Sequence, residues 1–212
     1  MIRLRCTEPN KGANMTYLDA FNRTTKGPWN TGKGDVQWKI ERDAGRPVLS
    51  FQCTKGEKDW RRAFDIAVKP YTNQKEIWYA HRGWAKGWDG IKDDVMDALM
   101  GQIPVILGFS AGGAYATLAH ENIYYTHALY PTTITFGSPQ TIWLSWNVAW
   151  RFDGVTNVVV SGDPIPGAPG SVFGYHHVGK RVTVGKKLYF PNIASHTPDA
   201  YRRALDRPDL IL

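Results

Sequence analysis

The chain has 212 residues, a formal net charge of +7, 42% apolar and 13% aromatic content with nine Trp, and two cysteines. That length can bury a core without disulfide staples, and Cys6 and Cys53 alone are no disulfide framework, so reduced thiols in a reducing compartment are expected. The basic residues are scattered with no basic run of five, which favours a solubilising role over binding of nucleic acid or anionic lipid; with no apolar run of about 18 residues there is no candidate membrane span, and no secretory h-region is visible, which makes a cytoplasmic location the default.

In chain order, residues 1–14 read as a loose arm, or as the stretch before an alternative start at Met15, to a single domain spanning 1–212. "TYLDAFN" (16–22) predicts a short helix, and a loop runs on to Asp35. Runs of β character follow at 36–42, 47–53, 64–68 and 76–81. Segment 89–100 predicts a helix, with Ile91, Val95, Ala98 and Leu99 on one face. "PVILGF" (104–109) is continuously apolar, as a fully buried strand is, and a helix from Ala111 to about Tyr124 follows it. Further strands are predicted at 132–137, 155–162, 172–178 and 181–184. "TPDAYRRAL" (197–205) predicts a last helix with Pro198 in its first turn. Alternating strands and helices imply an α/β fold with a central, mostly parallel sheet flanked by helices. In such sheets the site lies at the carboxyl ends of the strands.

At that position stands Gly108-Phe109-Ser110-Ala111-Gly112, a G-x-S-x-G pattern. Chance produces this pattern roughly once in fifteen chains of this length, so its setting decides. Strand, sharp turn and helix are what an exposed nucleophilic serine needs, with small residues two positions away on either side. The helix N-terminus then offers N–H groups to a developing oxyanion. A serine needs a base, and the base an orienting carboxylate, in the chain order Ser, acid, His. Asp153 precedes its strand, and Asp199 reads as a first-turn helix residue. Asp163 follows the strand 155–162 at the carboxyl edge, so it is the candidate acid. His81, His120 and His127 precede the acid, and His176 and His177 sit in a predicted strand. His196, in a loop after Asp163, ranks ahead of His177 as the base.

With these residues in place, the chain resembles the class 3 (fungal-type) lipases of the α/β-hydrolase superfamily. "LSFQCTKGEKDW" is similar to their F-R-G-[ST] strand and following loop, and "AHRGWAKGWDGIKDDV" to their v-H-x-G-F segment. "LGFSAGGAYATLA" resembles the nucleophile elbow, "ITFGSPQ" the y-T-F-G-x-P-R segment, "VSGDPIPGAP" the acid loop, "GYHHVG" the g-y-x-H-v-G segment, and "SHTPDAY" the d-H-x-x-Y segment. The resemblance implies Ser110 as nucleophile, Asp163 as acid and His196 as base, with oxyanion donors from Thr54 and Ala111. The chain departs from the pattern at Phe109 (usually His), Ala111 (Leu), Gln52-Cys53 (Arg-Gly) and Gln140 (Arg).

The implied activity is hydrolysis of carboxylic esters, as a lipase or carboxylesterase of lipid metabolism, without cofactor or metal. Its partner is an ester or lipid substrate, at a lipid–water interface in the lipase case. Phospholipase or other polar-lipid hydrolase activity is one alternative, and a catalytically silent binding scaffold another. A histidine acting as base must be neutral, so the rate should fall below about pH 6.5. The stretch matching the family's lid, roughly Lys55–Ala63, is short and charged, with Trp60 its one aromatic. Trp143, Trp146 and Trp150 are spaced as one helical face, and Trp84 and Trp88 lie upstream; these tryptophans either pack on the core or wall an acyl site. Phe109, Trp60, Trp84 and Trp143 are the candidate pocket residues.

Overall fold

The computed structural model describes residues 15–53, 63, 65–73, 76–143 and 148–207. The expected N-terminal arm, and Cys6 with it, falls outside these residues. From the N-terminal side the elements are α1 (Tyr17–Arg23), β1 (Asn30–Thr31), β2 (Gln37–Asp43), β3 (Arg46–Phe51), β4 (Val68–Asn73) and β5 (Glu76–His81). Then come α2 (Arg82–Asp89), α3 (Lys92–Leu99), β6 (Val105–Phe109), α4 (Ala111–His127), β7 (Thr133–Phe136) and β8 (Ile142–Trp143). Last are β9 (Val155–Val160), β10 (Tyr175–His176), β11 (Lys180–Val184) and α5 (Pro198–Leu205).

Seven strands form the central sheet in the order β1-β2-β3-β6-β7-β9-β11. From β3 to β11 every neighbouring pair is parallel, and β2 and β1 extend one edge antiparallel. Five strands therefore end on one edge, and Ser110, Gly137 and Asp163 lie just beyond β6, β7 and β9 there. Alternate residues point to opposite faces of a strand, which divides the core in two. Val48, Leu107, Phe109, Ile134, Phe136 and Val158 pack with Phe21 of α1 and Tyr201 of α5. On the other face Leu49, Phe51 and Ile106 pack with residues of α2, α3 and α4. Burial on both faces is why "PVILGF" has no polar alternation.

The helix ends follow local chemistry. Thr16 and Asp19 form a reciprocal capping box at α1, which satisfies two backbone donors that a helix start leaves open. Thr197 caps α5 by accepting from the Ala200 N–H, with Pro198 at the first helical position.

Three expectations need correction, and one helix was not expected. Residues 65–67 are not in a strand; β4 begins at Val68 and contains Pro70. Proline removes a ladder donor, and β4 tolerates it because it is the edge of a second sheet, β10-β8-β5-β4. Segment 82–89 is a helix that the sequence hid behind two glycines and two tryptophans. The helical face expected over 140–150 does not form: Trp143 is in β8, Trp150 is in a short 3₁₀ turn, and Trp146 lies outside the described residues. Of the strand expected at 172–178 only Tyr175–His176 is extended, after a 3₁₀ turn at Ser171–Phe173.

Two buried histidines make the fold sensitive to acid. The His120 Nε2 faces the Arg151 carbonyl at 3.0 Å, so it donates there, and Nδ1 accepts from the Thr133 hydroxyl at 2.8 Å. Burial pulls both His120 and His81 down to about 4. Their pKa is below the unfolded value, so the unfolded chain binds protons first as pH falls. Stability is complete above about pH 6.5 and declines towards about pH 4, by roughly 3 kcal/mol for each histidine. Urea midpoints followed across that range check this; a flat profile contradicts it.

Candidate active site

Ser110 sits between β6 and α4 with φ 55° and ψ −125°. A positive φ in a non-glycine residue is strained, and here the backbone holds it. The Ser110 N–H donates to the Phe136 carbonyl at 2.8 Å, and the Ser110 carbonyl accepts from Gly113 N–H at 2.8 Å. Serine is a favoured helix cap, yet this one makes no side-chain cap bond to α4. Its Oγ is turned to the His196 Nε2, 2.8 Å away.

His196 closes a 3₁₀ turn, Ile193–His196, whose start is capped by Asn192 accepting from the Ala194 N–H. Its Nδ1 lies 2.8 Å from Asp163 Oδ2. A carboxylate only accepts, so Nδ1 carries the proton and Nε2 is left to accept from the serine. The Asp163 side chain has no exposed surface. It also accepts from the Tyr201 hydroxyl at 2.7 Å and, through Oδ1, from the Ile165 N–H at 2.9 Å. Three donors on one carboxylate fix its orientation and compensate its burial.

Tyr201 comes from α5. Its hydroxyl accepts from the Val160 N–H at 3.3 Å, which directs its own proton to Asp163. Burial, with the Asp163 charge beside it, raises Tyr201 well above the ordinary tyrosine range, so it stays protonated. Spacing could not find this residue. The "SHTPDAY" segment contains it, but nothing local says that its hydroxyl meets an aspartate 38 positions away.

Gly137 shows how closely these groups converge. At φ +56°, an added Cβ there would meet the Tyr201 hydroxyl at 2.7 Å, Asp163 Oδ2 at 3.0 Å and His196 Cε1 at 3.0 Å. Only glycine leaves room at the end of β7.

Phe109, expected to shape an acyl pocket, is 2% exposed and lies under the base. Its ring stacks on His196 at 5.3 Å, with Phe21 and Tyr201 packed against its edges at 5.2 Å each. An imidazolium above an aromatic face gains cation–π stabilisation, so this floor suits a histidine that takes up a proton. Trp84 and Trp88 are buried in the core, not arranged as a wall, and Trp84 packs between His81 and Tyr115. Trp143 donates its indole N–H to the Phe173 carbonyl at 2.8 Å and packs edge-on to Tyr79. His177 is engaged elsewhere: its Nε2 donates to the Pro166 carbonyl at 2.7 Å, and burial lowers its pKa. Ala111 occupies the first position of α4, where backbone N–H groups have no intrahelical acceptor. Thr54, Trp60 and all of the expected lid except Ala63 lie outside the described residues.

The family model described as Lipase (class 3) matches residues 48–173. That span contains Ser110 and Asp163, while His196 and Tyr201 lie beyond it. Among solved structures, the chain is similar to a fungal lipase in an inhibitor complex studied as a model for interfacial activation, with 17% identity and a TM-score of 0.67. The match covers 76% of this chain and 67% of that one. Lipase II from Rhizopus niveus gives 21% identity and a TM-score of 0.62, covering 74% and 64%. A Rhizomucor miehei lipase in complex with its propeptide gives 18% and 0.61, covering 74% and 56%. The chain thus spans between 56% and 67% of these lipases, and the likeness is one of fold. No curated protein matches the chain.

Proposed function

Since the chain belongs to the class 3 lipase family, we propose that it hydrolyses carboxylic esters of lipid type, through an acyl-enzyme on Ser110. The observation that carries this reading is the hydrogen-bonded chain from Ser110 Oγ through His196 to the buried Asp163, both links 2.8 Å, on a strained strand–helix turn. His196 Nε2 takes the serine proton as Oγ attacks the ester carbonyl. The imidazolium, held by Asp163, then returns that proton to the leaving alcohol. Ala111 N–H at the head of α4 donates to the oxyanion, with Thr54 as the second donor. Water, activated by the same histidine, releases the acid. The substrate reaches Ser110 from a lipid–water interface.

A fluorophosphonate tests this directly. One adduct per chain is expected, on the peptide carrying Ser110, and a folded protein that forms none would be a scaffold and not an enzyme. Esters of increasing acyl length, offered dissolved and in micelles, then separate esterase from lipase: a jump in rate on micelle formation marks the lipase.

A further inference from the structure

Residues 185–194, "GKKLYFPNIA", are exposed without a break. Within them Leu188 is 44% exposed, Tyr189 82%, Phe190 83% and Ile193 65%. A loop needed only to join β11 to His196 has no use for large apolar side chains in water, and such a concentration marks an interaction surface. The segment is anchored. Leu188 N–H donates to Ser161 Oγ at 2.8 Å, and Asn192 N–H to the Gly162 carbonyl at 2.7 Å. Both anchors precede Asp163 directly, and Tyr189 and Phe190 project between them. The same segment runs on into His196, whose Nε2 faces Ser110 Oγ at 2.8 Å. The loop after β9, which leaves the same sheet edge, adds Val172 at 94% and Phe173 at 56% exposure.

Charge decides the partner. Residues 164–198 contain Lys180, Arg181, Lys186 and Lys187 and no Asp or Glu. Lys187 Nζ lies 5.3 Å over the Tyr189 ring. Aromatic rings with adjacent lysines and no carboxylates fit the headgroup layer of a lipid surface: the rings enter it and the ammonium groups meet phosphates. We propose that segment 186–193 seats the protein on an anionic phospholipid surface, Tyr189, Phe190 and Ile193 entering the headgroup layer and Lys186 and Lys187 facing its phosphates. What is then delivered to Ser110 rests on the ester-hydrolase reading; the attachment itself does not.

The test uses the Ser110→Ala chain, so that binding is read without turnover. Co-sedimentation is measured with vesicles of phosphatidylcholine alone and of phosphatidylcholine mixed with phosphatidylserine. Binding to the mixed vesicles is expected, weakening as added salt shortens the Debye length. Lys186→Glu with Lys187→Glu should weaken it about thirtyfold or more, and Tyr189→Ser with Phe190→Ser at least about tenfold. In the Ser110 background, both double variants should cleave a dissolved short-chain ester at the parental rate. Equal binding to both vesicle types, or double variants that bind like the parent, would overturn the docking site. Vesicle binding by a protein that cleaves no dissolved ester leaves the docking site standing and removes the ester-hydrolase reading instead.

Discussion

Ser110→Ala is expected to lower kcat on a dissolved short-chain ester by about 10⁴- to 10⁶-fold. Folding should barely notice the change. The Oγ caps no helix, and its bond to His196 is worth about 1 kcal/mol to stability. Asp163→Asn should cost about 10⁴-fold, because an amide in place of the carboxylate permits the histidine tautomer that cannot accept from Ser110. Tyr201→Phe removes one of three donors to the carboxylate and leaves His196 Nδ1 and the Ile165 N–H in place, so about a tenfold loss is expected from one charged hydrogen bond. The groups act as a unit, so adding Asp163→Asn to Ser110→Ala should cost almost nothing further. Single-turnover rates with matched circular dichroism check the series. Retention of more than about a hundredth of the rate in Ser110→Ala would place the nucleophile elsewhere.

The second large effect belongs to one methyl group. A Cβ on Gly108 would run into the carbonyl of Gly112 and stand 2.7 Å from the Gly113 N. Both contacts are backbone of the first turn of α4, which cannot rotate aside as a side chain can. Gly108 lies within β6, where alanine fits the extended backbone, so sterics act alone. Gly108→Ala is therefore expected to cost more than about 4 kcal/mol, the range reserved for gross overpacking. Among the described residues an added Cβ at Gly167 meets nothing within 4 Å, and Gly167→Ala should stay within about 0.5 kcal/mol. Urea unfolding of the pair measures the difference. Equal midpoints would show that α4 can move off β6.

What was readable from the residues depended on how local the cause is. "PVILGFSAGG" carries its own fold signal, since two-sided burial needs unbroken apolar residues and a tight turn needs glycine. The chain order that singled out Asp163 and His196 is likewise a one-dimensional property, and the structure brings both to Ser110. Causes that lie across space left no trace. Arg82–Asp89 is helical because Trp84 and Trp88 bury against the sheet, although its glycines disfavour helix. The start of β4 does not show in the sequence because Pro70 is acceptable only on an edge strand, and edges cannot be read before the sheet is known. Phe109 looked like a pocket residue from its place beside the nucleophile, but the side chain of a β6 residue alternates inward to Phe21. The role of Tyr201 has no local signal because its partner Asp163 is distant in the chain.

The clasp of α1 against α5 beneath the nucleophile has a consequence for the order in which the protein is made. Phe21 stacks on Tyr201 at 5.5 Å, and Arg202 donates to Asn22 Oδ1 and Thr25 Oγ1. A chain emerging from the ribosome reveals Phe109 and Ser110 midway and Asp163 and His196 later, yet it lacks Tyr201, the hydroxyl donor to Asp163, until α5 follows. Under the proposed activity, full fluorophosphonate labelling of Ser110 is expected only after α5 has docked onto α1, so the time at which labelling appears would report completion of the fold.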